Sequence, residues 1–157
     1  MKIFIGSDHH GIQIRLNLGS FVTSLGHEVV DVGPRPECPS PVDYPVIAQK
    51  VAVAVSTHEA DRGILICGTG IGMSIVANKF EGVRAAPISD ILSVELSCLH
   101  NDLNVLCLSA EMLTESAISD LVRTWLSVSF ADSGRHSRRI ERVKEIEKQQ
   151  IEKHLKS

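Results

Sequence analysis

Short runs of Val, Ile and Leu alternate with helical stretches along most of this chain. The runs lie near residues 2–6, 28–32, 63–67, 83–87 and 104–108, and they are largely apolar throughout. Continuous apolar runs of this length are typical of strands that are covered on both faces. Helices are predicted between them, near residues 11–25, 44–57, 71–79, 90–99 and 115–129. The alternation predicts right-handed crossovers, a five-stranded parallel sheet and a three-layer α/β/α sandwich.

The last part of the chain is highly charged, and its apolar residues recur at helical spacing. They are Ile140, Val143, Ile146, Ile151 and Leu155. This stripe predicts an amphipathic C-terminal helix over 135–157, within a single domain that spans 1–157. The helix either packs on a second subunit or folds back on its own domain, and the pattern alone favours neither.

Charge and hydropathy exclude two classes of partner. The 157 residues include 16 Lys and Arg against 19 Asp and Glu, which gives a net charge of −3. The one basic cluster, Arg135 to Arg142, is too short for a nucleic-acid interface. No stretch approaches the roughly 18 apolar residues of a membrane span, and the first strand ends too early for a signal peptide. We expect a cytoplasmic protein without a nucleic-acid or membrane partner.

Three polar segments adjoin the predicted strands. They are Gly6 to Gly11 after the first strand, Cys67 to Ser74 after the third, and His100 to Asn104 before the fifth. Ligands of parallel sheets bind beyond the carboxyl ends of the strands. We therefore expect these segments to form the functional site.

The glycines of the second segment give the strongest signal. Gly68, Gly70 and Gly72 leave backbone N–H groups unobstructed at a helix N-terminus, which suits anions and developing oxyanions. The dinucleotide pattern fails because Met73 stands where it needs glycine, and the P-loop lysine is absent. The alternative is a tight turn that needs glycine only for packing.

Cys67 closes a strand and opens this loop, where N–H groups favour the thiolate as base or nucleophile. The alternative is an inert apolar side chain, the role that we assign to Cys98 and Cys107. Cys38 carries no functional signal. The four cysteines form no C-x-x-C pair, so we expect reduced thiols and no metal centre.

Histidines and arginines supply further candidates. We expect His9, beside Asp8, to face the site and His10 to lie on the surface, while His100 is a second acid–base candidate. A metal site built from Asp8, His9 and His100 has no supporting ligand spacing. Two arginines four residues apart either face one anion or form a solvated surface; they are Arg135 and Arg139.

Several separated motifs together resemble the ribose-5-phosphate isomerase B family, which includes galactose-6-phosphate isomerase subunits. The motifs are Gly6-Ser7-Asp8-His9, Asp43-Tyr44-Pro45, Ile64 to Ser74, Ala77-Asn78-Lys79, His100 to Leu106, and Gly134-Arg135-His136 with Arg139. The resemblance runs from about Lys2 to Ile146. It implies a Rossmann-like fold and a dimer or tetramer whose active site is shared between subunits.

The resemblance also implies a chemistry without a cofactor or metal, the interconversion of an aldose phosphate and a ketose phosphate through an enediolate. Cys67 would carry the proton between C1 and C2, Thr69 would move the hydroxyl proton, and His100 would open the sugar ring. The implied substrate-binding residues are Asp8, His9, Tyr44, Gly68, Gly70, Gly72, Ser74, Asn101, Arg135 and Arg139. The first substrate pair to test is ribose 5-phosphate and ribulose 5-phosphate, with a six-carbon sugar phosphate as the alternative.

Three positions depart from the family pattern. Glu111 stands where many members carry a phosphate-binding arginine, Cys98 follows Leu96-Ser97 in place of an arginine, and Ser133 replaces a glycine. A carboxylate would repel a phosphate dianion, so either Glu111 turns outward or the substrate end differs. Two other functions stay open from the residues alone: a cysteine hydrolase that uses Cys67 and His100, and a non-catalytic sugar-phosphate sensor.

Overall fold

A computed structural model describes residues 1–37, 42–132 and 134–155, without the side chains of the last two, so Cys38 and Ser133 lie outside the described residues. Its five strands lie within two residues of the predicted ends. They are β1 (Lys2–Ser7), β2 (Glu28–Asp31), β3 (Arg62–Cys67), β4 (Ala85–Pro87) and β5 (Val105–Ser109). All neighbouring strands are parallel, in the order β2-β1-β3-β5-β4. The three central strands therefore bring the residues that follow β1, β3 and β5 to one edge of the sheet.

In the described parts of the chain, six α-helices connect and follow the strands. They are α1 (Ile12–Ser24), α2 (Tyr44–Ser56), α3 (Ile71–Ala77), α4 (Ile91–Asn101), α5 (Glu115–Ser127) and α6 (Arg135–Leu155). A 3-10 turn, His9–Gly11, precedes α1. The predicted crossover helices and the C-terminal helix are thus all present.

Both faces of the sheet are covered. One core packs α1, α4 and α5 on the sheet around the fully buried Trp125. The other packs α2 and α3 on the opposite face, with Val51 and Met73 fully buried. Burial on both faces explains why the strands are apolar without alternation, and it confirms the three-layer α/β/α sandwich.

Helix α6 contacts its own chain mainly through its first turns. His136 and Ile140 are buried, whereas Val143 and Ile146, further along the helix, are 49% and 47% exposed. No helix in the described parts of the chain is long and apolar enough to span a membrane.

Candidate active site

The loop between β3 and α3 holds the Cys67 thiol at the carboxyl edge of the sheet. The N–H of Gly70 donates a hydrogen bond to Cys67 Sγ at 3.1 Å. Gly70 has a φ of 77°, a conformation that favours glycine because it has no Cβ. The thiol is therefore held beside the backbone N–H groups that begin α3, as the sequence predicts.

The end of β5 fixes this loop from the neighbouring strand. The Ala110 N–H donates to the Cys67 carbonyl at 2.8 Å, and the Glu111 N–H donates to the Gly68 carbonyl at 3.2 Å. The buried Ser109 hydroxyl also donates to the Gly68 carbonyl, at 2.6 Å. Ser109 was not among the predicted site residues, and its place directly after an apolar run is the signal that could have identified it.

Three other predicted residues lie around the same loop. Thr69 is exposed, and its Oγ1 accepts the Ile71 N–H at 3.3 Å. The Tyr44 ring lies so close to Gly72 that a Cβ there would be 2.7 Å from Tyr44 Cε2. Ser74 is buried and donates to the Ile71 carbonyl at 2.8 Å, so its hydroxyl is directed into its own helix.

The two adjacent histidines lie in the 3-10 turn that follows β1. Asp8 is buried and caps the 3-10 turn by accepting the His10 N–H at 2.9 Å. The turn brings both rings to the same side, with centroids 4.1 Å apart, and His10 Nδ1 lies 3.3 Å from Asp8 Oδ2. Both histidines are exposed, which agrees with the surface position predicted for His10, and a 3-10 turn rather than extended backbone sets their geometry. His10 is the histidine that pairs with Asp8.

Glu111 faces the glycine loop rather than solvent alone. Its Oε1 lies 2.9 Å from the position that a Cβ would take on Gly68, and 3.6 Å from His10 Nε2. The Glu111 side chain is 59% exposed, so it lies at the surface beside this loop. The carboxylate belongs to the mouth of the Cys67 loop.

A small group of possible metal ligands lies at the same edge. Asp8, His9 and His10 bring one ligand atom each within 4.8 Å of one another. The combination with His100 does not form, because His100 lies elsewhere in the fold.

His100 and Asn101 lie at the amino edge of the sheet, away from Cys67. They form the last turn of α4, which leads into β5 at Val105, whereas Cys67 pairs with Ser109 at the other end of that strand. Four strand residues span about 13 Å. The expectation that the His100 segment lies with the other two at the carboxyl edge of the sheet was wrong, because residues that precede a parallel strand lie at its amino end. Contact between Cys67 and His100, which a hydrolase pair requires, is likewise absent.

A basic cluster forms around His100. Its ring stacks on that of His136, with centroids 4.3 Å apart and planes 2° apart, and Arg135 Nε lies 3.2 Å from His136 Nε2. Burial lowers the pKa of His136, and the charges of His100, Arg135 and Arg139 lower it further. Positive charge is therefore concentrated at the start of α6.

Cys98 and Cys107 are buried, and the three described cysteines are free thiols. Burial raises the pKa of both thiols, and Cys67 adds to the effect at Cys107. A raised pKa keeps both thiols protonated, in agreement with the inert role that we predict for them.

A buried arginine beneath the site was missed by the sequence reasoning. Arg15 donates to Ser7 Oγ at 2.8 Å, to Asp31 Oδ2 at 3.0 Å and to the Pro34 carbonyl at 2.6 Å. It thereby ties the end of β1, just before Asp8, to β2 and the loop that follows. A charged residue inside an apolar helical pattern is the only sequence signal for it.

The fold and the Cys67 loop, taken with three comparisons, define a sugar-phosphate isomerase. Ribose-5-phosphate isomerase B of Escherichia coli is 40% identical over 146 residues, which are 93% of this chain and 96% of that protein. The structure of ribose-5-phosphate isomerase B from Clostridium thermocellum has a TM-score of 0.89 and 44% identity, over 95% of this chain and 99% of that one. The enzyme from Mycoplasma genitalium with bound ribulose 5-phosphate has a TM-score of 0.88 and 38% identity, over 94% and 96%.

The family model described as Ribose/Galactose Isomerase matches residues 3–143. This chain therefore belongs to the ribose/galactose isomerase family. The assignment confirms the resemblance, the Rossmann-like fold class and the prediction of an aldose–ketose isomerase.

Proposed function

We propose that this chain interconverts ribose 5-phosphate and ribulose 5-phosphate. The observation that carries the proposal is the Cys67 thiol, held 3.1 Å from the Gly70 nitrogen in a loop rich in N–H donors. The names of the relatives, and the ribulose 5-phosphate bound to one of them, support the five-carbon substrate.

The proposed reaction moves protons within the open-chain sugar. The Cys67 thiolate takes the proton from C2, the C–H electron pair forms the C1–C2 double bond, and the aldehyde oxygen takes the negative charge. N–H groups of the glycine loop, from Gly68 to Gly72, hold that oxygen. Cys67 returns its proton to C1 while Thr69 passes the O2 proton to O1, which gives the ketose.

A second copy of the chain completes the proposed site. His100 of one copy opens the sugar ring at the Cys67 loop of the other, while Asp8 and Asn101 hold the sugar hydroxyls. His9, Arg135 and Arg139 bind the phosphate. Within one chain, the Cys67 loop and the His100 segment are separated by about 13 Å along β5, too far for contact. This separation supports an arrangement in which two copies form the site.

Exposed apolar side chains support the same homo-oligomer. Ile71 and Ile75 on α3 are 53% and 57% exposed, and Val143, Ile146 and Ile151 form the outer stripe of α6. Contact between these faces in a dimer or tetramer would remove them from water. In this proposal α6 packs on the partner subunit, and the enzyme works in the cytoplasm.

Replacement of Cys67 by Ser tests the proposed base. We expect isomerisation and solvent-deuterium exchange at C2 of ribose 5-phosphate to fall together, by at least about a hundredfold. Cys98→Ser is the matched control, because Cys98 is a buried thiol outside the loop. Undiminished exchange in Cys67→Ser would remove Cys67 from the mechanism.

The same assay compares substrates. Ribose 5-phosphate, allose 6-phosphate and galactose 6-phosphate are offered to the wild-type chain, and kcat/KM is measured for each. The proposal requires the highest value for ribose 5-phosphate. A higher value for a six-carbon sugar would reassign the substrate while leaving the isomerase chemistry in place.

A further inference from the structure

The carboxylate of Glu111 lies at the mouth of the Cys67 loop. Its backbone N–H is hydrogen-bonded to the Gly68 carbonyl at 3.2 Å, and its side chain lies over Gly68 and is 59% exposed. A ligand bound at this loop would therefore meet the carboxylate directly.

His10 links Glu111 to a second carboxylate. Its Nε2 lies 3.6 Å from Glu111 Oε1, and its Nδ1 lies 3.3 Å from Asp8 Oδ2. Two carboxylates and the two imidazoles of His9 and His10 give this edge a net negative formal charge unless both rings are protonated. Among the described residues, no Lys or Arg nitrogen lies within 4 Å of either carboxylate.

This charge pattern distinguishes two kinds of substrate group. A carboxylate accepts a hydrogen bond from a sugar hydroxyl, whereas it repels a phosphate dianion. The ring of His9, the proposed phosphate contact, lies 4.1 Å from that of His10 and is tilted by 38° to it. A phosphate held by His9 would therefore lie in the field of Glu111.

We infer that Glu111 is a specificity-determining residue that binds a sugar hydroxyl and weakens the preference for phosphorylated over unphosphorylated aldoses. This inference rests on the proposed function, since it concerns the same site. Its consequence is that the wild-type chain prefers ribose 5-phosphate over unphosphorylated ribose less strongly than a chain without the Glu111 charge. Reversing the charge at this one position should restore a strong preference for the phosphate.

Calorimetric titration with ribose 5-phosphate and with ribose tests this directly, in a Cys67→Ser background that limits turnover. We expect Glu111→Arg to lower the Kd of ribose 5-phosphate at least tenfold and to leave that of ribose unchanged or raised. Glu111→Gln removes the charge at constant size, so it should shift the ratio of the two Kd values in the same direction by a smaller factor.

Glu59→Gln is the matched control, because it makes the same charge change at an exposed residue just before β3, at the opposite edge of the sheet. It should leave both Kd values within twofold. Unchanged Kd values in both Glu111 variants, or no binding of ribose 5-phosphate by Glu111→Arg, would overturn the inference. A shifted ratio without isomerisation by the wild-type chain would overturn only the proposed function.

Discussion

His136 is a buried side chain whose protonation depends on the charges around it. Arg135 Nε donates to His136 Nε2 at 3.2 Å, so this nitrogen must act as an acceptor and the ring must be neutral with its proton on Nδ1. That Nδ1 is buried without a hydrogen-bond partner among the described residues. Protonation of His136 would place a further positive charge beside two arginines in a buried position.

The lowered pKa of His136 makes stability depend on pH with a definite sign. In the unfolded chain the imidazole takes up a proton near its ordinary pKa, about 6.5, whereas burial lowers the pKa in the fold. Between these two values the unfolded state binds more protons, so stability falls as the pH decreases from about 7 toward 5.

Thermal unfolding of wild type and His136→Asn between pH 7.5 and 5 measures this effect. We expect the melting temperature of the wild type to fall more steeply with acid than that of His136→Asn. His58→Asn is the control, since His58 is exposed in a loop. A slope that is equal in wild type and His136→Asn would contradict the expectation.

Local backbone also decides which residues of the site are predictable. One part of the site lies close together in sequence: Cys67, Gly68 and Gly70. A strand that is followed by glycines restricts the positions of these residues in the fold. The role of His10 depends on the 3-10 turn that Asp8 caps, and that of Glu111 depends on a neighbouring strand. The contact of Glu111 with the Cys67 loop joins residues from two different strands, and it has no signal in the local sequence.

At the scale of elements, strand ends follow directly from composition. The apolar runs predict all five strands because helices cover both faces of the sheet. The end of α4 is less predictable, since it extends through His100 and Asn101 rather than ending before them. Arg84, which lies in the loop just before β4, binds the end of this helix.

Arg84 binds the carbonyl groups that close α4. Its Nε donates to the Asn101 carbonyl at 3.0 Å and to the Asp102 carbonyl at 2.8 Å, and its Nη2 pairs with Asp102 Oδ2 at 2.6 Å. Asp102 has a φ of 50°, so the chain turns sharply there. These bonds hold the helix turn that carries His100.

Removal of the Arg84 guanidinium should therefore loosen that turn. Arg84 is one-fifth exposed, so water replaces part of the lost bonding, and we expect Arg84→Met to destabilise the fold by about 1–2 kcal/mol. This corresponds to a fall of about 3–6 °C in melting temperature. Calorimetry checks it, with Arg123→Met on the exposed side of α5 as control; an equal loss in both variants would refute the specific role of Arg84.

For the whole molecule, strand order is the decisive feature. The order β2-β1-β3-β5-β4 places the residues that follow β1, β3 and β5 side by side, which brings Asp8, Cys67 and Glu111 together. Local sequence patterns predict a parallel sheet but do not predict the order of its strands. His100 precedes a parallel strand and therefore lies at the amino edge, and that edge bears on whether one chain or two form the site.

Mixing two inactive variants tests whether the site is shared between copies. If Cys67 of one copy works with His100 of the other, a dimer of Cys67→Ser and His100→Gln has one site with both defects and one site with neither. Random exchange makes half of the dimers mixed, and each has one intact site of two. We expect the mixture, unfolded and refolded together, to recover roughly a quarter of wild-type activity.

The control for this experiment is each variant refolded alone, which should stay inactive because every site then carries one defect. A mixture of Cys67→Ser with Thr69→Ala should also stay inactive. Both residues lie on the same loop, so every site in every mixed dimer keeps one defect. Recovery with His100→Gln but not with Thr69→Ala requires two chains per site, since a site within one chain gives no recovery in either mixture.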